Sequence, residues 1–409
     1  MEAHLRPSFS SDSTVPTPPQ NTSYLIRMKI PVSTPSLIET DFKFVDDAIR
    51  SGWISGSKGT YIDKFESDFA AFCGVKYGVA ASSGSTALHL ATSVLDLSPE
   101  DEVIVPTFTN IATVLSVVYA GGKPVLVDSD PEIWGMDARL IERKITKKTR
   151  AIIPVHIYGH PVDMDEIMKL SKDYNLVVIE DGAEAHGAEY KGRKIGGIGQ
   201  IGCFSFYANK IITTGEGGMV VTDDEQYRKK AKTLSNLAFS DAARYRHEYL
   251  GFNYRLSNVL AALGCSQLSR IEELVSTKRW MGERYNSLLR GIDSLQTPVE
   301  KSWAKNVYWM YGIVLKESFG MTRDELRNFL SQKGIETRAF FYPMHLQPAF
   351  NNKGLFLGEH YPVSEKLSNH GLYLPSGLTI TNEEITYVTD CIIEASEQAP
   401  RNNPPPRKK

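Results

Sequence analysis

The run Cys203-Phe-Ser-Phe-Tyr-Ala-Asn-Lys-Ile-Ile-Thr-Thr-Gly-Glu-Gly-Gly218 places a single lysine, Lys210, between two apolar segments. Cys203 to Phe206 reads as a strand and Met219 to Thr222 as the next, with the glycines giving backbone freedom between them. Lysine is seldom buried without a partner, and desolvation lowers its pKa toward a usable amine. A buried amine of this kind is a standard covalent catalyst, forming a Schiff base with a carbonyl. The same residues also suit a solvated loop lysine, and this stretch alone does not decide between the two.

Three other stretches carry chemistry-bearing residues. Ser82-Ser-Gly-Ser-Thr86 joins a strand to a helix N-terminus, where free N–H groups and the helix dipole suit a phosphate. Serine and threonine there also serve simply as caps. Val178-Ile-Glu-Asp-Gly-Ala-Glu-Ala-His186 ends an apolar strand and delivers Glu180, Asp181 and Glu184 to the carboxyl edge of a sheet, the edge where open α/β sheets bind ligands. A carboxylate there can keep a ring nitrogen protonated, or Asp181 can cap the following turn. Gly251-Phe-Asn-Tyr-Arg-Leu-Ser-Asn258 offers Asn253, Tyr254 and Arg255 to an anionic ligand, or to the cap and packing of the next helix. Taken jointly, Lys210, Asp181 and Gly84-Ser85-Thr86 are the three parts that pyridoxal phosphate requires: an amine, a carboxylate for its ring nitrogen and a phosphate cradle.

The elements that must position these residues alternate. Tyr77 to Ala81, Glu102 to Pro106, Pro124 to Val127, Ala151 to His156 and Leu176 to Ile179 read as short strands, separated by helical or loop segments. Among the helices, Leu37 to Ser51 is helical in pattern, and Tyr61 to Cys73 carries Ile62, Phe65, Phe69 and Phe72 at three- and four-residue spacing. This is an α/β pattern with a mostly parallel sheet covered on both faces. From about Gln267 the texture changes to a long helix (Leu268 to Leu289), a strand (Tyr308 to Leu315) and helices over Thr322 to Lys333 and Asn382 to Glu397. The expected division is a Ser/Thr/Pro-rich disordered extension over 1–27, a large α/β domain over 28–266, a smaller C-terminal α+β domain over 267–397 and a polar tail over 398–409.

Composition narrows the function. The 409 residues are 42% hydrophobic and 23% charged with a formal net charge of -2, and no basic block suggests a nucleic-acid partner. No apolar run reaches the roughly 18 residues that span a bilayer, and no secretory h-region opens the chain. Cys73, Cys203, Cys265 and Cys391 are far apart, without metal or disulfide spacing, which suggests a reducing cytoplasm and no metal site.

With these residues in hand, the chain resembles the DegT/DnrJ/StrS sugar-nucleotide aminotransferases from residue 28 to about 396. The resemblance rests on Ser82-Ser-Gly-Ser-Thr-Ala-Leu-His-Leu90, Asp101-Glu-Val-Ile-Val-Pro-Thr107, Glu180-Asp181 and Ser205-Phe-x-x-x-Lys-x-x-x-x-Gly-Glu-Gly-Gly218. Trp53-Ile-Ser, Gly251-Phe-Asn-Tyr-Arg255, Tyr308-Trp-Met-Tyr311 and Phe341-Tyr-Pro-Met-His345 look closest to the subgroup that aminates C4 of GDP-4-keto-6-deoxymannose. The resemblance implies an aspartate-aminotransferase-type fold (fold type I), a homodimer with shared active sites, L-glutamate as amino donor and pyridoxal 5'-phosphate as cofactor. It implies that Lys210 is the Schiff-base lysine, that Asp181 pairs with the ring nitrogen and that Glu184 lies near the ring hydroxyl. Gly84, Ser85, Thr86 and Ser205 would hold the phosphate, joined by Asn253 from the other subunit. Trp53, Tyr254, Arg255, Arg338 and His345 match segments near the substrate.

In two places the chain departs from the family pattern. Asn110 stands where the family has an aromatic over the cofactor ring, and the phosphate turn reads Gly-Ser-Thr where Gly-Thr is commoner. Among the rival readings, a related dehydratase replaces the lysine with histidine, so Lys210 counts against it. A cofactor-binding regulator would dispense with the donor and sugar sites, and other 3- or 4-keto sugars on UDP or dTDP are alternative acceptors.

Overall fold

Near-continuous apolar strands are stable where both of their faces are covered, and the fold provides that cover. The computed structural model describes residues 29–56, 59–239 and 245–398. The expected extension over 1–27 lies outside them, as does the tail apart from Gln398. Strands β1 (Tyr77–Ala81), β2 (Glu102–Pro106), β3 (Lys123–Val127), β4 (Thr149–Ile152) and β5 (Val177–Asp181) come first, followed by a hairpin of β6 (Glu189–Tyr190) and β7 (Arg193–Lys194), then β8 (Ile201–Ser205) and β9 (Gly218–Thr222). One sheet has the order β1-β9-β8-β5-β4-β2-β3. Its strands from β8 through β3 pair in parallel, while β9 is antiparallel to both neighbours. The mostly parallel α/β sheet expected from the sequence is therefore observed. The expected strand at Leu176 to Ile179 runs on to Asp181, so both acids of Glu180-Asp181 sit at the strand's end.

Helices α1 (Glu39–Arg50), α2 (Thr60–Cys73), α3 (Gly84–Ser93), α4 (Ile111–Tyr119), α5 (Met164–Tyr174), α6 (Glu225–Ser235) and α7 (Asn258–Ser269) accompany the sheet. Alternation along β2 sends Ile104 into the core shared with α2, and Val103 and Val105 into the core shared with α3 and α4. On α2, Ile62, Phe65, Phe69 and Cys73 are buried at three- and four-residue spacing. Among the described residues no side chain of its own caps this helix; Asn258 Oδ1 accepts from Tyr61 N at 3.1 Å instead. Burial worth about 1.5–3 kcal/mol for each phenylalanine outweighs a missing cap worth about 1 kcal/mol.

The remainder builds a second sheet. Helix α8 (Ile271–Leu289) is followed by β10 (Leu295–Gln296), β11 (Ala304–Lys305), β12 (Gly312–Leu315), α9 (Arg323–Gln332), β13 (Arg338–Ala339), α10 (Pro348–Asn351), α11 (Pro362–His370), β14 (Gly371–Tyr373) and α12 (Asn382–Gln398). The order β10-β12-β14-β13 is antiparallel throughout, and β11 pairs with β6. Met281, Tyr285 and Leu289 of α8 pack with Ile385, Val388 and Ile392 of α12. Two sequence expectations change here. The helix expected over Leu268 to Leu289 breaks at Arg270, whose ψ of 22° leaves the helical range. The strand expected from Tyr308 begins only at Gly312, because Tyr308 takes a positive φ of 46°.

Candidate active site

The carboxyl ends of β1, β2, β4, β5 and β8 converge on one cavity of about 360 Å³. At the end of β1, Ser83 Oγ accepts from Thr86 N at 3.2 Å while Ser83 N donates to Thr86 Oγ1 at 2.9 Å, a capping box that starts α3. The turn is tied from behind by Ser82 N donating to Tyr254 O at 2.8 Å. Gly84 and Ser85 then open the helix on the cavity wall, facing Ser205 from the end of β8. Glycine is required at 84, since a Cβ there would fall 2.6 Å from Ser205 Cβ; one at Gly218 would fall 2.2 Å from Ser83 O. Gly84→Ala should therefore cost about 1–3 kcal/mol through overpacking and weaken anion binding at the turn. Chemical denaturation and a pyridoxal phosphate titration measure the two effects, and unchanged values for both would remove Gly84 from the cradle.

Lys210 hangs in a closed loop between β8 and β9. Phe206 N donates to Gly217 O at 2.8 Å, Thr214 N to Phe206 O at 2.9 Å, and Lys210 N to Tyr207 O at 2.9 Å. Ile211 and Ile212 are fully buried, anchoring the backbone beyond the lysine. Lys210 is 9% exposed, and its Nζ rests 3.7 Å from the centroid of the Trp309 ring. Burial lowers its pKa, opposed by the carboxylates of Glu184 and Asp181.

Asp181 Oδ2 accepts from Thr113 Oγ1 at 2.8 Å, and Thr113 Oγ1 lies 2.9 Å from Thr109 Oγ1, so a chain of hydroxyls orients the carboxylate. Burial raises the Asp181 pKa, with Thr113, the Ala183 N–H and Lys210 pulling it back. Glu184 Oε2 accepts from Tyr158 N at 2.7 Å, a bond aimed by the left-handed backbone of Tyr158 at φ 53°. Burial pushes Glu184 up to about 7 against the pull of Lys210 and Tyr158 N. His186, enclosed by the rings of Phe69, Phe204 and Phe206, is held neutral by burial, its pKa lowered to about 3.

The rise at Glu184 has a consequence for stability. Its native value of about 7 exceeds the ordinary 4.5, so the native chain keeps the proton more readily than the unfolded chain. The stability this gives is full below about 4.5 and is lost as pH rises through about 7. Glu184→Gln, compared with the parent in cofactor-free protein, should gain melting temperature progressively from pH 5 to pH 8. A difference that does not change with pH would contradict the assignment.

Of the residues singled out in the sequence, Gly84, Ser85, Asn110, Asp181, Glu184, Ser205, Lys210 and Arg338 line this cavity. Asn110 is at the wall, but its side-chain oxygen accepts from Ala112 N at 3.0 Å and caps α4. Thr86 is spent on the capping box and is off the wall. Asn253 bridges Asn236 on the surface, Tyr254 stacks on Phe252 with its hydroxyl on His89 Nδ1, and Arg255 donates to Asn236 Oδ1. Trp53 is 58% exposed and away from the cavity. His345 is buried between Thr107 Oγ1 at 2.8 Å and Glu365 Oε1 at 3.1 Å. The sequence reading missed Trp309, Phe341 and Tyr373, which supply aromatic wall, and Tyr207, Asn209 and Glu216. Trp309 and Phe341 lie in segments quoted for the resemblance, but no local spacing ties either to Lys210.

An amine, a carboxylate and a helix N-terminus flanked by serines thus face one space, and the buried Oδ1 of Asn209 on its wall has no hydrogen-bond partner among the described residues. This donor set fits pyridoxal phosphate. Fold and site together define a pyridoxal-phosphate-dependent aminotransferase of the aspartate-aminotransferase type. More particularly, the pattern of the DegT/DnrJ/EryC1/StrS aminotransferase family matches residues 35–393, and the chain belongs to that family. It is 44% identical over 366 residues to the GDP-perosamine synthase of Escherichia coli O157:H7, an alignment covering 89% of this chain and 98% of that one. The GDP-perosamine synthase of Vibrio cholerae is 40% identical over 363 residues, with 89% and 98% covered. Among solved structures, an aminotransferase from Psychrobacter cryohalolentis superposes with a TM-score of 0.85 at 32% identity, covering 90% of this chain and all of that one (100%). The family resemblance and fold read from the sequence are borne out.

Proposed function

We propose that the protein transfers the amino group of L-glutamate to C4 of GDP-4-keto-6-deoxymannose, giving GDP-perosamine. The observation that carries this reading is the convergence of Lys210, Asp181 and the Gly84–Ser85–Ser205 cradle on one cavity, in a chain 40–44% identical to GDP-perosamine synthases. Gly84, Ser85 and Ser205 would hold the cofactor phosphate at the N-terminus of α3, where unpaired N–H groups and the dipole favour an anion. Asp181 would hold the proton of the ring nitrogen, its carboxylate fixed by Thr113, and Glu184 would face the ring hydroxyl. When bound, pyridoxal phosphate supplies an electron sink for the pair released at the reacting carbon. Lys210 Nζ would hold the cofactor and, when free of it, would move the proton between the donor or acceptor carbon and the cofactor; burial lowers the pKa of this amine, opposed by Glu184 and Asp181. Arg338, on the cavity wall, belongs to the substrate side in this reading.

Completion of the site requires a second copy of the chain, with Asn253 reaching the partner's phosphate. In support, α1 and the segments on either side of it expose Leu37, Phe42, Ile49, Trp53 and Ile54, each at 45–58%, an apolar face of the kind that marks an interface. All four cysteines are free and buried, which agrees with a cytoplasmic protein. Among the described residues no helix is long and apolar enough to cross a membrane.

The test is to offer purified protein, pyridoxal phosphate and glutamate a panel of 4-keto and 3-keto sugars on GDP, UDP and dTDP. Product identification by mass and NMR should give a 4-amino GDP sugar in preference to the others. Exclusive amination of a UDP or dTDP sugar would overturn the substrate, and amination of none would overturn the reading.

A further inference from the structure

Lys278, in the middle of α8, is 1% exposed. Its Nζ donates to the carbonyl of Trp309 at 2.8 Å and to that of Ser376. No carboxylate is among its partners in the described residues, and burial alone pushes its pKa down to about 7. A lysine in this position is unfavourable relative to an apolar residue, and its helix neighbours Leu274, Met281 and Tyr285 are ordinary core. The position is explained by what the amine holds. The carbonyl of Trp309 precedes β12, outside the ladder of the small sheet, in a segment turned by the positive φ of Tyr308. It needs a donor from elsewhere, and Lys278 provides one.

The other end of Trp309 is fixed as well. Its Nε1 donates to Asn209 O at 2.8 Å, one residue before Lys210, and its ring lies nearly parallel to Tyr158 at 17°. Between these two ties the indole face carries Lys210 Nζ at 3.7 Å from the centroid. We infer that Lys278 is a positioning residue for the reacting amine: it pins the main chain of Trp309 so that the indole forms the platform on which Lys210 rests. This rests on the reading of Lys210 as that amine. The platform favours the protonated form through the ring quadrupole, offsetting part of the desolvation that favours the neutral form. Lys278 thereby acts on Lys210 without touching cofactor or substrate.

Competitive acetylation of the full-length cofactor-free protein with acetic anhydride at graded pH, followed by peptide mass analysis, gives the titration midpoint of Lys210 directly. In Lys278→Met the midpoint should fall by about one unit, the shift that loss of a desolvated cation–π contact produces. The kcat should fall while KM for glutamate stays near the parent's. Trp309→Leu should lower the midpoint as much, and the double variant no further, because both act through one ring. Should Lys278→Met not fold, Lys278→Gln keeps an N–H donor of shorter reach and should give a smaller shift in the same direction. A folded Lys278 variant whose melting temperature drops while the Lys210 midpoint stays put would overturn the inference. So would a Lys278→Met shift that persists in full in the Trp309→Leu background. Acetylation needs neither cofactor nor substrate, so failure here leaves the aminotransferase reading intact. Failure of the parent to aminate any sugar would sink that reading and leave this shift measurable.

Discussion

Lys210→Ala is expected to lower turnover by at least about 10³-fold and to remove the absorbance of the lysine-bound cofactor, while leaving the fold in place. The magnitude follows from two losses. Proton transfer by a positioned side chain is worth roughly 10²–10⁴-fold, and the covalent tether proposed at this lysine would go with it. The fold should survive because the loop is closed by main-chain bonds from Phe206, Thr214 and Lys210 N and anchored by Ile211 and Ile212, none of which needs the amine. Steady-state kinetics, a spectrum and circular dichroism on the same sample check all three statements. Retained catalysis in a folded Lys210→Ala protein would contradict the assignment of this residue.

The second large effect is expected at Asp181. Asp181→Asn keeps the shape of the side chain, and the amide can still bond Thr113 and the Ala183 N–H, so folding should change little. It removes the charge that would hold a ring proton, and a lost electrostatic contact of this type is worth about 10²–10³ in kcat. Because Asp181 also raises the pKa of Lys210, the Lys210 midpoint should drop in the same variant. This dual readout separates an electrostatic role from a structural one: a variant with parental kcat and an unmoved Lys210 midpoint would show that Asp181 merely caps the Gly182–Ala183 turn.

Much of this site was legible because its parts sit at strand ends, where an apolar run stops and chemistry-bearing residues begin. Gly84, Asp181, Ser205 and Lys210 all follow that pattern and all reach the cavity. Trp309 does not. It lies about a hundred residues beyond Lys210 in the chain, and contact between them depends on how β12 and α8 dock, which no local spacing encodes. Thr86 shows the opposite failure: a hydroxyl of the right type near a phosphate turn was drawn into the capping box by a closer partner, Ser83 N. Asn110 likewise met a backbone N–H two residues on before it could meet a ligand. Local caps win because they cost little chain entropy, and sequence type alone does not say which partner a polar side chain will choose.

The proposed role of Lys210 as the amine that carries the cofactor is checked by loading the protein with pyridoxal phosphate, reducing with borohydride and mapping the modified peptide by mass. One adduct per chain is expected, on the peptide containing Lys210, and none after prior incubation with glutamate, which would release that lysine. An adduct on Lys278 or any other lysine, or none at all in folded protein, would contradict this role for Lys210.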